Sequence, residues 1–316
     1  MNKNGFEFSF AWLFAIIAGA AVLFLAIFFA TKYVSTSEFE INTKIAAEFV
    51  NVLNPLQTSV YDSSAINVFL PSEARIFTSC DSGGNFGRSI VTFSEKIGFG
   101  EKFSRAGNPI STENSYLFAE NIIEGKKINF LVFSLKMPYK IGDILIAYSD
   151  SYCFVNAPRN IERELGDLTE GNSFDVIFTS NKNACPESKP VCFGGFECDI
   201  NVRCNDNECL SGFVRKDGMD NYFTGKLLYG AIFSSRENYE CNVKRLMKRL
   251  ESVSTIYSKK SQFIASRGCT NTNLLPLIES LRESSGEFER LENLPQISSI
   301  ADEVNEKNKY LECQLF

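Results

Sequence analysis

The chain has 316 residues, 44% of them hydrophobic and 22% charged, with a net charge of −6 and an isoelectric point near 5.1. That balance supports a packed core and excludes the basic stripe that a nucleic-acid surface needs, so no nucleic-acid partner is expected. Histidine is absent, which removes Ser-His-Asp and Cys-His nucleophile systems, His-containing zinc sites and imidazole proton shuttles.

The first element is an apolar run. Phe8 to Ala30 reads FSFAWLFAIIAGAAVLFLAIFFA, with one hydroxyl at Ser9 and no charge. As a helix this run is about 35 Å long, enough to cross a hydrocarbon core of about 30 Å. A secretory signal has a shorter apolar stretch, roughly 7–15 residues. Ala18-Gly19-Ala20 resembles a cleavage site, yet a cut there would leave a second apolar run at the new N-terminus. The expectation is a retained anchor over residues 1–34, with the lipid bilayer as its first partner. Before the run stand the amino group, Lys3 and Glu7; after it stand Lys32, Glu38, Glu40, Lys44 and Glu48. The more positive flank comes first, which puts the N-terminus in the cytoplasm and the bulk of the chain outside. Ala11, Ala15 and Gly19 share one helix face at a spacing that lets two membrane helices approach, and they also match the ordinary composition of such helices.

Residues 35–60 continue the helix as a stalk. Ile41, Ile45, Phe49, Val52 and Leu56 form one apolar stripe, and Asn54-Pro55 bends or ends it. Residues 61–233 read as a mixed α/β exterior domain, with strands at 66–70, 76–79, 89–93, 128–133, 143–148, 174–179 and 199–202. The segment YCFVNAPRNIERELGDL followed by SFDVIFTS reads as strand, helix, strand, with Ile161, Leu165 and Leu168 inward. From 234 to 316 the pattern is helical. Ser234 and Glu237 have capping-box spacing, and Tyr239, Val243, Leu246, Leu250, Val253, Tyr257 and Ile264 form a stripe that stops at Gly268. Shorter helices follow from about Asn273 and after Asn293-Leu294-Pro295, and the three stripes together predict an antiparallel helical bundle. The basic run Lys244-Arg245 with Lys248-Arg249 reads as a solvated helix face. The fold class is therefore α+β: anchor, amphipathic stalk, mixed domain and bundle.

The ten cysteines, Cys80, Cys153, Cys185, Cys192, Cys198, Cys204, Cys209, Cys241, Cys269 and Cys313, all follow the anchor. Five fall in 185–209, a segment poor in apolar residues, where cross-links are the natural source of order. Their spacing contains no Cys-x-x-Cys knuckle, which favours disulfides over a zinc site or a redox pair. Helix lengths in the bundle favour Cys269–Cys313, because the second and third helices together return the chain to the end of the first. Cys241 and Cys269 are about 42 Å apart along one helix and cannot pair.

No motif assigns catalysis. The chain has no P-loop, no His-Glu-x-x-His and no Ser-x-x-Lys. Gly83-Gly84-Asn85-Phe86-Gly87 and Gly98-Phe99-Gly100 read as turns between strands. No cofactor or metal is expected. With KNGFEFSFAWLFAIIAGAAVLFLAI in front and LLYGAIFSSRENYECNVKRLMKRLE later, the chain resembles uncharacterised single-pass membrane proteins of small-genome archaea, which implies an envelope location. Lys3-Asn4-Gly5 before Phe6, an apolar helix and an amphipathic continuation also make its N-terminal third resemble type IV pilin-like proteins. That family places Glu at the fifth position of the mature helix, where this chain has Phe10; Glu7 is the second. The expected function is a membrane-anchored envelope protein with a structural or partner-binding role, through self-association or contact with other envelope proteins. The alternatives are a pilin-like subunit and an exterior hydrolase using carboxylates.

Overall fold

The computed structural model describes residues 10–57, 62–97, 102–169, 174–195, 198–269 and 273–316, and their side chains except at 10–11, 34–38 and 49–57. The leader-like Lys3-Asn4-Gly5, Phe6, Glu7 and the turn Gly98-Phe99-Gly100 lie outside the described residues.

A single helix, α1 (Phe10–Gln57), runs without interruption from the apolar segment into the body. Its stretch Trp12–Tyr33 is 22 residues long, has a mean hydropathy of 2.8 and is wholly exposed, which makes it long and apolar enough to cross a membrane. Pro55 lies inside the last turn, where its missing N–H removes only a terminal bond, and the helix ends two residues later. Further along α1, Asn42 and Ala46 are buried, whereas Ile41 is 48% exposed and Ile45 is partly covered. The buried face is thus turned by about one residue from the expected stripe, because Asn42 is drawn in by hydrogen bonds and Ala46 by close packing. Phe49, Val52 and Leu56 have side chains outside the described set.

Two six-stranded sheets follow. The first contains β1 (Ser63–Asp81), β2 (Arg88–Glu95), β3 (Ile110–Thr112), β4 (Tyr116–Phe118), β5 (Ile122–Lys136) and β6 (Lys140–Tyr148), in the order β3-β2-β1-β5-β6-β4. All neighbours are antiparallel except β4 and β6. The expected strands 66–70 and 76–79 are one long strand whose pairing shifts between Phe69 and Ala74. Pro71 falls in that irregular stretch, where a missing ladder donor is tolerated. Along β5, Ile128, Phe130 and Val132 pack towards α1, while Leu131, Phe133 and Leu135 pack into the main core. Burial on both faces explains an unbroken apolar run instead of an alternating one.

The second sheet contains β7 (Tyr152–Val155), β8 (Val176–Thr179), β9 (Lys189–Phe193), β10 (Ile200–Cys204), β11 (Ser211–Lys216) and β12 (Met219–Thr224). Its order is β12-β11-β10-β9-β7-β8, with four parallel strands and an antiparallel hairpin at one end. The helix α2 (Arg159–Thr169) carries the chain from β7 to β8, burying Ile161 and Leu165. The β11–β12 turn uses Asp217 and Gly218, both at positive φ (52° and 76°), the conformation that two-residue hairpin turns demand.

Between the sheets sits α3 (Leu227–Phe233), every residue of which is buried. Then come α4 (Arg236–Ala265), α5 (Leu275–Gly286) and α6 (Leu294–Lys309). These helices do not form a bundle of their own. α4 packs on α5 but also on β1, β4, β6 and β12, and α6 packs on β12. Their apolar stripes join both sheets in one continuous core, which runs from Phe133 through Tyr229 and Leu250 to Val304. The cap of α4 is Ser235, whose hydroxyl accepts from the Asn238 N–H at 3.3 Å. Ser234 instead closes α3 by donating to the Gly230 carbonyl at 2.5 Å. The cap is therefore displaced by one residue from the expected Ser234, and no capping box forms, because the Ser235 N–H donates to the Ala119 carbonyl.

Candidate functional site

All ten cysteines are bridged: Cys80–Cys241, Cys153–Cys185, Cys192–Cys198, Cys204–Cys209 and Cys269–Cys313. Their Cα atoms lie between 4.7 and 6.0 Å apart, a normal range for cystine. Cys241 reaches across to β1, and Cys269–Cys313 ties the end of α4 to the stretch after α6. On the outer face of the second sheet, Cys153, Val155 and Cys192 form a small buried cluster with Cys185 and Cys198 packed against it. Two cystines cover that face where a helix layer would otherwise stand. Among the described residues, no group of three or more Cys, Asp or Glu is placed to hold a metal ion.

A polar recess with a volume of about 530 Å³ lies where the start of β1, the β5–β6 turn, α2, the entry to α3 and α6 converge. Its deepest charged group is Glu164. One carboxylate oxygen takes the Lys226 ammonium, and the other accepts from the Tyr229 hydroxyl at 2.6 Å. Burial together with the Glu164 charge pushes the Tyr229 phenol upward, so it stays a donor. On the α6 wall, Ser298 and Thr224 share a hydroxyl hydrogen bond of 2.7 Å. Asp302 is raised from the ordinary carboxylate range by partial burial and by Glu306. At the rim, the hydrogen bond from Lys136 holds the Asp62 carboxyl low. Carboxylate hydrolysis sets an acid and a base on opposite sides of one bond. Here Glu164 is occupied by two donors, which leaves Asp302 as the carboxyl open to the recess. The recess can hold a polar solute; its groups do not form an acid–base pair.

Arg245 is the group that the sequence conceals. It is fully buried, although a solvated face was expected for the run 244–249. Its guanidinium donates to the carbonyls of Phe86, Glu113 and Ser115 at 2.9 Å each, and to Ser89 Oγ at 2.9 Å and Asn242 Oδ1 at 2.8 Å. Burial brings its pKa down to about 10, and carbonyl dipoles stand in for a carboxylate partner. Lys248 also donates to this turn, at Ser82 O (2.6 Å) and Gly84 O (2.9 Å). The turn 82–87 does connect β1 to β2, and Gly87 in it has no room for a side chain: a Cβ would come within 2.3 Å of the Asp81 carbonyl. Asn238, Asn242 and Arg245 mark a polar line at helical spacing beside the apolar stripe, a signal that could have pointed to this buried cation. Only Arg249 of the run remains exposed.

Along α1, Ala15 and Gly19 are exposed, among the described residues no atom beyond the helix's own adjoining backbone lies within 4 Å of a Cβ built at Gly19, and the side chain of Ala11 lies outside the described set. No protein-family model matches the chain, and no curated protein or solved structure matches it.

Proposed function

We propose that the chain is a membrane-anchored protein of the cell envelope, with its N-terminus in the cytoplasm and its cystine-bridged body outside, acting as a structural or partner-binding element. One observation carries this reading. A single helix has an exposed apolar half of membrane-spanning length and a second half whose Asn42 and Ala46 are buried against the first sheet. The five cystines beyond it suit an oxidising compartment. With the C-terminus tagged, protease added to intact cells should remove the tag. A tag that survives, while a lysed control is digested, overturns the reading.

A second reading, a type IV pilin-like subunit, is favoured by the same helix, because in that family an apolar helix continues amphipathically into a sheet-containing head. Intact-mass measurement separates the two. Cleavage after Gly5 would give a chain starting at Phe6 and support the subunit; an uncut N-terminus supports the plain anchor.

A further inference from the structure

The loop that grips α1 just beyond its apolar stretch makes three hydrogen bonds with the helix. Asn42 Nδ2 donates to Ser104 Oγ at 2.7 Å and to the Arg105 carbonyl at 2.9 Å. The Asn108 N–H donates to Thr43 Oγ1 at 2.8 Å. Gly107 allows the two backbones to touch, since a Cβ there would meet the Thr43 nitrogen at 2.6 Å. The loop is also tied to the first sheet by Ser104 N to Glu95 O and Ile97 N to Lys102 O, both 2.8 Å. It cannot swing away from the helix.

Its height above a bilayer follows from helix geometry. The apolar stretch ends at Tyr33, and Phe39 lies six residues on, a rise of about 9 Å. Helical side chains lean towards the N-terminus, which carries the Phe39 ring back by part of a turn. The Arg105 guanidinium lies over that ring, 5.1 Å from its centroid. The headgroup layer occupies roughly 5–8 Å on each side of the hydrocarbon core. The guanidinium is therefore held at the level of the lipid phosphates. Arg105 is exposed, and among the described residues it has no carboxylate partner. Lys102, in the same loop, is exposed too.

We propose that Arg105, seated on Phe39, is a binding site for lipid phosphate at the outer surface of the membrane, with Lys102 as a second contact. The inference rests on the anchor reading and adds to it a specific contact between body and bilayer. A guanidinium suits this task because its planar fork meets two phosphate oxygens at once.

The test uses the full chain with ¹³C-labelled arginine, reconstituted in vesicles of phosphatidylcholine and phosphatidylglycerol. Flotation with the vesicles comes first, because a chain that does not float defeats the anchor reading and this proposal with it. In floating protein, carbon–phosphorus dipolar dephasing reports only short guanidinium–phosphate distances. We expect a dephased arginine signal in the native chain that disappears in Arg105→Gln. An unchanged signal in Arg105→Gln, or none in the native chain, overturns the proposal while leaving the anchor intact. In a phosphate-free detergent with inorganic phosphate the signal should be absent; its presence would assign the site to free phosphate instead. Unchanged circular dichroism and non-reducing mobility show whether Arg105→Gln is folded.

Discussion

The two sheets have the same number of strands and reach stability by different routes. In the first, β5 buries every residue from Ile128 to Leu135, with the helix α1 against one face and the main core on the other. In the second, the strands run only four to six residues, and the outer face is covered by cystine. Its three bridges close short loops, with sequence separations of 32, 6 and 5. The first sheet has a single bridge, Cys80–Cys241, with a separation of 161. Where apolar area is plentiful, one long-range cross-link suffices; where it is scarce, local cross-links hold the backbone in place. The shared core through α3 makes the two regions one body, and that claim can be broken.

The largest expected effect is alkaline. Tyr139, Tyr148, Tyr152, Tyr229 and Tyr239 all belong to the core that joins the sheets, and burial raises every one of their phenol pKa values. A folded-state pKa above the unfolded value gives stability that is complete below about pH 10 and is lost as pH rises beyond it. Arg245 is lowered and has the opposite sign over the same range, one group against these five and Tyr116, which burial also raises. Phenolate absorbance from these tyrosines and the loss of circular dichroism should therefore move in one step above about pH 10. Phenolate in excess of what the exposed tyrosines can supply, appearing well before the fold is lost, would show that the junction between the sheets opens by itself.

Next is the long bridge. Replacing Cys80 and Cys241 together by Ser removes a constraint whose chain-entropy value is about 5 kcal/mol for so long a loop. Equilibrium denaturation should show a fall of that order. A loss below about 1 kcal/mol would mean that Arg245 and its neighbours fix α4 on β1 without help.

The smallest effect is expected in the second sheet. Cys204→Ser with Cys209→Ser opens a loop worth only about 2 kcal/mol. The global transition should shift slightly, while limited proteolysis within 185–209 becomes faster. Equal cutting of the native and double-Ser chains would show that this segment is ordered by its hydrogen bonds, such as those Asp206 accepts from Glu208 N and Leu210 N.

Elements with a strong period or composition were legible in the sequence. The apolar half of α1, the inward line of α4 and the βαβ passage through α2 follow directly from side-chain spacing. Three things were not. Strands β3 and β4 are three residues long, too few to separate strand from loop, and β9, β11 and β12 were not read either. The join between sheets and helices was hidden because an apolar stripe does not say what it faces, so Leu246 and Leu250 suggested a bundle when part of their surroundings is sheet. Arg245 was misread because a cation satisfied by carbonyls leaves no carboxylate partner to find. As for the recess, Glu164 gave no signal in the chain, since its partners Lys226 and Tyr229 come from a turn and helix more than sixty positions away.

The unbroken α1 has a mechanical consequence on the proposed reading. A 22-residue span is about 33 Å long, whereas hydrocarbon thickness differs between membranes from about 27 to 33 Å. Were tilt the sole adjustment to thickness, the helix would stand upright in the thickest of these and reach a tilt of about 35° in the thinnest. No hinge separates span from body, so the body leans through the same angle. Gln57 lies about 36 Å of helix beyond Tyr33, and its end would swing sideways by about 20 Å. Bilayer thickness would then set the posture of the body and choose which of its faces a neighbour meets.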